Sequence, residues 1–160
     1  MPTLVVHLET LPPVWVAAVR AFGAEPEVDA WQRLRAWAQP LGLLDDIERH
    51  PVFGFNSPSP SPGATEYGYE LWVGVDGPGA PTGGVTFKRF EGGRFAVTMC
   101  RVLGEPGVPA AWHALWQWVQ SSPYTYRNAQ ELERVLNPGA DEANLILELY
   151  LPIEEEGGSS

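Results

Sequence analysis

The sequence predicts an α+β fold made of two tandem βαββ modules, and three observations carry that prediction. Residues 30–39 and 111–120 agree at five of ten positions, 81 residues apart, aligning Trp31 with Trp112, Leu34 with Leu115 and Trp37 with Trp118. The segment Tyr69-Glu-Leu-Trp-Val-Gly-Val75 is echoed by Leu147-Glu-Leu-Tyr-Leu-Pro-Ile153, so that Glu70 matches Glu148 and Trp72 matches Tyr150 at an offset of 78. Gly- and Pro-rich stretches at 56–63 and 76–84 separate the periodic segments and read as loops. At the helix offset Gly23 meets Gly104 and Val14 meets Phe95, which extends the repeat outward.

Taken in order, the first module has strand patterning over residues 3–9 continuing into 14–21. A helix follows, with Trp31, Leu34, Ala38 and Leu41 at helical spacing, and then strands at 52–56 and 68–75. The second has a strand over 85–90 continuing into 94–103, then a helix carrying Trp112, Leu115, Trp116 and Val119. Strands at 132–136 and 144–153 complete it. One helix covers one face of its sheet, so the other face needs a partner. Packing the modules about a pseudo-twofold axis supplies it and leaves a ligand cleft between them. The expectation is one domain over residues 1–156, with repeats at about 3–76 and 84–153 and a flexible, solvated tail at 157–160.

Composition narrows the function classes. Asp and Glu outnumber Lys and Arg 20 to 10, a net charge of −10 that repels nucleic-acid phosphates and anionic membranes and attracts cations. Seven Trp, five Tyr and six Phe in 160 residues suggest a lined cavity as well as a core. The single Cys100 excludes intramolecular disulfides and multi-cysteine metal centres and fits a reducing, cytoplasmic setting. No apolar run approaches a membrane span, and the N-terminus lacks a leader pattern.

Strand alternation assigns faces. Tyr69, Leu71, Val73 and Val75 fall on one side and Glu70 with Trp72 on the other; Leu145, Leu147, Leu149 and Leu151 fall opposite Ile146, Glu148 and Tyr150. Glu70–Trp72 and Glu148–Tyr150 therefore occupy equivalent faces, expected to line the cleft. In Glu131-Leu-Glu-Arg-Val-Leu136, packing of Leu132 and Leu136 beneath the helix would aim Glu133 into the same cleft. Carboxylates beside aromatic faces form a receptor for a cation, each well-placed ring contributing roughly 0.5–2 kcal/mol. The alternative is that these glutamates pair with Arg94, Arg127 or Arg134, or meet solvent.

Other constellations are weaker. His7, His50 and His113 lack metal-ligand spacing. Gly77-Pro-Gly79 leads to another strand and lacks the phosphate-binding glycine fingerprint. Ser57, Ser59 and Ser61 alternate with proline, with no histidine close in sequence to activate them. Cys100 reads as a small buried thiol.

Five segments carry a family resemblance: Phe53-Gly-Phe-Asn-Ser-Pro58, Tyr67-Gly-Tyr-Glu-Leu-Trp-Val73, Gly92-Gly-Arg-Phe-Ala-Val97, Leu132-Glu-Arg-Val-Leu136 and Leu149-Tyr-Leu-Pro-Ile153. In this order and spacing they resemble the GyrI-like (gyrase-inhibitor-like) small-molecule-binding domain, also found as the effector-binding half of AraC-type and MerR-type regulators. The resemblance runs from Thr3 to Ile153. It implies a duplicated βαββ fold holding a hydrophobic cation or amphipathic drug between the repeats, with an acidic residue at the bottom of an aromatic pocket. On that resemblance the pocket acid is Glu133, and the Tyr67–Glu70 segment belongs to the pocket. Only a couple of residues precede the first predicted strand, so no helix-turn-helix is expected and DNA binding would need a regulatory partner. The distantly related SOUL proteins bring haem to mind, but no axial-ligand motif matches.

The leading expectation is a stand-alone protein that captures apolar, aromatic or cationic small molecules for sensing or sequestration. Its candidate ligand-binding residues are Glu133, Trp72, Tyr150, Glu70, Glu148, Tyr67, Phe55, Trp116 and Tyr126; no metal and no cofactor is expected. The alternative, implied by the resemblance, is a hydrolase of electrophilic cyclopropane-type toxins with a pocket glutamate, Glu133 first, as general base. A lower alternative is a gyrase-inhibitor-like protein interaction through the acidic surface. Apolar edges of the 85–103 segment would support a homodimer.

Overall fold

The computed structural model describes residues 4–57, 61–79, 83–103 and 107–154, apart from the side chain of Glu142. Thr3 of the first predicted strand, the loop positions 58–60 and 80–82, Gly104 and the predicted tail 157–160 lie outside the described residues. The chain divides into a central unit, Pro13–Glu91, and a terminal unit drawn from both ends, Met1–Pro12 with Gly92–Ser160. Both units combine antiparallel strands with one helix, and the protein is α+β.

In the central unit, β2 (Val14–Gly23), β3 (Val52–Asn56), β4 (Tyr67–Val75) and β5 (Thr86–Phe90) form the order β3-β4-β2-β5. Helix α1 (Pro26–Ala38) starts with Pro26, whose fixed φ suits a first turn, and carries Glu27 and Asp29 at its N-terminal end and Arg35 in its last turn, matching the helix dipole. It buries Ala30, Trp31, Leu34 and Ala38, and its Trp37 meets Phe87 of β5 edge-on at 6.1 Å. Leu41, expected on the buried stripe, is 60% exposed: the α-helix ends at Ala38, Leu41 falls in the 3₁₀ turn that contains Pro40, and Gly42, at φ 72°, closes that turn.

The alternation in β4 holds. Leu71 and Val73 are fully buried, while Glu70 and Trp72 point to the opposite face. On β3, Gly54 is required by close packing, because a Cβ there would strike the Tyr69 hydroxyl and press on Leu71.

In the terminal unit, β1 (His7–Leu11), β6 (Gly93–Arg101), β8 (Leu132–Val135) and β9 (Ile146–Glu154) take the order β1-β6-β9-β8. A two-residue strand, β7 (Thr125–Tyr126), pairs with the end of β9 and has no counterpart in the sequence reading. Helix α2 (Val108–Gln120) buries Ala111, Leu115 and Val119, leaving Trp112 and Trp116 half-buried. Its end is closed by the Ser121 and Ser122 N–H groups, which donate to the Gln117 and Val119 carbonyls at 3.1 and 3.0 Å.

Two strand partners differ from the expectation. β1 was expected with the first repeat, yet it pairs with β6, His7 opposite Val97 and Glu9 opposite Phe95. β5 was expected with the second, yet it pairs with β2, Val16 opposite Lys88 and Ala18 opposite Thr86. Period-2 patterning identifies a strand and its faces but says nothing about which neighbour supplies its hydrogen bonds.

Candidate functional site

The side chains of interest form two polar constellations, one in each unit. In the central unit the site grows from β4. Trp72 lies opposite Phe53 on β3 and Ala18 on β2, and Glu70 lies opposite Phe55 and Arg20, so these side chains share the face away from α1. Trp72 meets Phe55 edge-on at 4.9 Å and Phe90 at 5.5 Å, and Phe53 closes the group against Phe90 at 5.8 Å. These spacings suit the tilted and T-shaped contacts that ring quadrupoles favour.

Glu70 sits in this aromatic frame only 3% exposed and is the one buried carboxylate among the described residues. A charge so desolvated is tolerated only with partners. The Trp72 indole Nε1–H donates to Glu70 Oε2 at 2.7 Å, and the Lys88 ammonium donates to the same oxygen at 2.5 Å. Lys88 of β5 lies opposite Val16 and reaches diagonally across β2 to Glu70 on β4, and between Val16 and Arg20 on that face stands the small Ala18. Arg20, directly opposite Glu70, instead turns its Nε to the Ser57 carbonyl at 2.8 Å.

In the terminal unit the second glutamate–aromatic pair lies on β9. Tyr150 is fully buried, edge-on to Phe95 at 5.5 Å. Its hydroxyl donates to Glu9 Oε2 at 2.5 Å and accepts from Arg134 Nη1 at 3.2 Å, with Glu148 Oε1 at 3.3 Å. Burial, and next the Glu9 hydrogen bond, push the phenol well above its ordinary range, against the pull of Arg134. His7 stands 3.7 Å from Glu9.

The expected site residues are drawn from both units. Glu70, Trp72 and Phe55 come together in the central unit, and Glu148 and Tyr150 in the terminal unit. Glu133 does not share the face of Glu148 and Tyr150. It lies opposite Leu149 on β9 and accepts from the Trp112 indole of α2 at 3.4 Å, so it belongs to the helix side. The premise about Leu132 was reversed: Leu132 lies opposite Tyr150 and shares its face, which turns the next residue toward α2. Cys100 is also buried on that side; burial first and the Glu133 charge second push its thiol up to about 11.

Tyr67 is likewise on the helix side of its sheet, donating to the Glu27 carboxylate of α1 at 2.7 Å. Trp116 and Tyr126 meet at a tilt with ring centroids 4.9 Å apart, and the Tyr126 hydroxyl is turned to Ala129 and Glu131. A cavity of about 470 Å³ in the terminal unit, lined by Val6, Leu8, Trp118 and Tyr124 among others, contains none of the expected residues.

Lys88, Phe53 and Phe90 of the central constellation, and Glu9 of the terminal one, were not singled out as site residues from the sequence, and Arg134 entered only as an alternative partner for the glutamates. One signal was available for Lys88: it is the only lysine in the chain. Among the described residues no group of three or more His, Cys, Asp and Glu is placed to hold a metal ion, and no helix is long and apolar enough to cross a membrane.

The family model of the GyrI-like small molecule binding domain matches residues 5–154. The chain belongs to that family. A comparison with the curated proteins finds no match. Among solved structures, the EcmrR C-terminal domain is 16% identical with a TM-score of 0.64, covering 95% of this chain and 98% of that one. In the EcmrR–DNA complex the same likeness, at 16% identity and a TM-score of 0.66, covers 95% of this chain but only 58% of that protein, so the chain spans little more than half its length. A hydrolase from Listeria innocua is 14% identical over 93% of this chain and 91% of that one, with a TM-score of 0.64. SAV2435 bound to tetraphenylphosphonium is 13% identical over 93% of each chain, with a TM-score of 0.59. At these identities the likeness establishes the fold. The membership makes this a small-molecule-binding domain.

Proposed function

We propose that this domain captures lipophilic or aromatic cations, with Glu70 as the recognising acid and Trp72, Phe53, Phe55 and Phe90 as the apolar frame. The observation that carries the reading is the burial of Glu70 to 3% exposure inside that frame. A carboxylate in low dielectric attracts a cation far more strongly than one in water, and ring faces are the surface that a hydrophobic cation prefers. The net charge of −10 adds a long-range attraction of the same sign. Tetraphenylphosphonium bound to a protein of this fold is in keeping with the reading and supplies a probe. The lone cysteine, present as a thiol, fits action in a reducing cytoplasm.

The test is calorimetric titration of tetraphenylphosphonium into wild type, Glu70→Gln and Glu133→Gln. Glu70→Gln is expected to weaken binding at least tenfold, and Glu133→Gln less than twofold, because its carboxylate is turned to α2. Equal affinities in wild type and Glu70→Gln would overturn the assignment of the acid. Hydrolysis is a second reading, favoured by the grouping of Glu9, Tyr150, Arg134 and Glu148 around one phenol. Incubation with a planar cyclopropane electrophile, followed by mass spectrometry, would show a water-added product if it holds and intact ligand if it does not.

A further inference from the structure

Glu70 is already paired with a cation. The Lys88 ammonium occupies Oε2 at 2.5 Å, beside the Trp72 indole N–H at 2.7 Å. The two ends of the ion pair are unlike: the Glu70 side chain is 4% exposed and the Lys88 side chain 47%. The carboxylate is held by the frame, whereas the ammonium arrives from solvent on a flexible stem. Lys88 is moreover the sole lysine among ten basic residues. An ammonium is a compact, rotatable point charge, whereas the planar guanidinium of an arginine would hold a carboxylate through two parallel bonds.

We infer that Lys88 is an internal counter-cation that competes with the ligand for Glu70, so that cation binding is an exchange in which the Lys88 ammonium swings out to water. The inference rests on the proposed role of Glu70. A buried carboxylate left empty would carry an uncompensated charge in the unliganded protein; Lys88 neutralises it and keeps the frame formed. An incoming monocation with a greasy surface gains the rings as well as the carboxylate, while the released ammonium regains its hydration at the half-exposed position it already has. The same geometry sets selectivity. A small hydrated cation offers Glu70 nothing that Lys88 does not already supply, so only cations with apolar surface to bury displace it. Even a ligand that reached Glu70 without full displacement would meet the Lys88 charge within a few ångströms, and neutralising that residue would favour it in either case.

The experiment compares tetraphenylphosphonium with the uncharged triphenylphosphine oxide in wild type, Lys88→Met and Lys88→Met/Glu70→Gln. Methionine keeps an apolar stem of similar reach without the charge. Lys88→Met is expected to bind the cation about tenfold more tightly, the full Coulomb term being discounted for the exposure of the ammonium, and to change affinity for the phosphine oxide less than twofold. The gain is expected to vanish in the double variant. In the wild type, lysine labelled with ¹³C at Cε gives a single side-chain signal, expected to move toward the free-lysine position on adding the cation and to stay in place on adding the oxide. That measurement decides the matter if Lys88→Met folds poorly.

Unchanged or weaker cation binding by Lys88→Met, or a Lys88 signal that does not respond to a bound cation, overturns the exchange. If cation binding is still lost in Glu70→Gln, the proposed function survives that result. If neither wild type nor Lys88→Met binds the cation, both fall together.

Discussion

The central and terminal units place the same pair, a glutamate followed two residues later by an aromatic, on the strand face away from the helix, and use it in opposite ways. In the central unit the carboxylate of Glu70 is buried and the aromatic Trp72 serves it with an N–H. In the terminal unit the aromatic is at the centre: Tyr150 is fully buried and holds Glu9, Arg134 and Glu148 around its hydroxyl, while Glu148 itself is only half-buried. The reversal comes from the neighbouring strands. β5 brings a lysine to the first pair, whereas β1 and β8 bring a further acid and an arginine to the second. A two-residue motif is therefore a poor statement of a site until its partner strands are known.

The largest break in this comparison is expected from Trp72→Ala. It removes the ring that touches both Phe55 and Phe90 and strips Glu70 of its N–H donor, and it should cost about 3–5 kcal/mol in a denaturant unfolding experiment. A loss below 1 kcal/mol would show that the aromatic frame is not a packed unit.

Next in size is an alkaline transition in the terminal unit. The Cys100 thiol is raised from 9.0 to about 11 in the folded protein, so the folded state keeps its proton where the unfolded chain has lost it. The associated stability is complete below the unfolded thiol's pKa and falls as pH rises toward 11, by about 2–3 kcal/mol over the two units. Unfolding free energies at pH 8 and pH 11 for wild type and Cys100→Ala measure it. The variant should show the smaller decline, and parallel declines would rule the thiol out.

Tyr150→Phe should have a smaller effect, about 1–2 kcal/mol, because the ring packing on Phe95 survives while Glu9 and Arg134 lose their shared hydroxyl. It should leave tetraphenylphosphonium affinity within twofold of wild type if Glu70 is the recognising acid. A tenfold loss would move the ligand to the terminal constellation and reverse the assignment made from burial.

Among the described residues both α-helices, eight of the nine strands and the alternation that sets Leu71 and Val73 opposite Glu70 and Trp72 were legible, because amphipathic spacing and period-2 patterning are local properties of the chain. The grouping of Glu70, Trp72 and Phe55 in the central constellation was legible, since two share a strand face and Phe55 lies in a matching motif. The face of Glu133 was misread because its strand's alternation fits either side. Its neighbours Leu132 and Arg134 differ too much in polarity to fix which side is buried, and only the pairing of Leu132 with Tyr150 decides it. Tyr67 was grouped with Glu70 through its motif, although its own alternation with Tyr69 and Leu71 already put it beneath α1.

The sequence by itself determined the class of fold, the position of both helices, the excess of negative charge and the family, all of which follow from composition, local periodicity or motifs in order. Only the tertiary structure decided that β1 pairs with β6 and β5 with β2, and with those pairings that Tyr150 would meet Glu9 and that Glu70 would meet Lys88. The physical reason is that a strand's hydrogen-bonding edge is the same for every sequence. Its neighbour is chosen by the sum of long-range packing, and the partners of a buried charge are chosen with it.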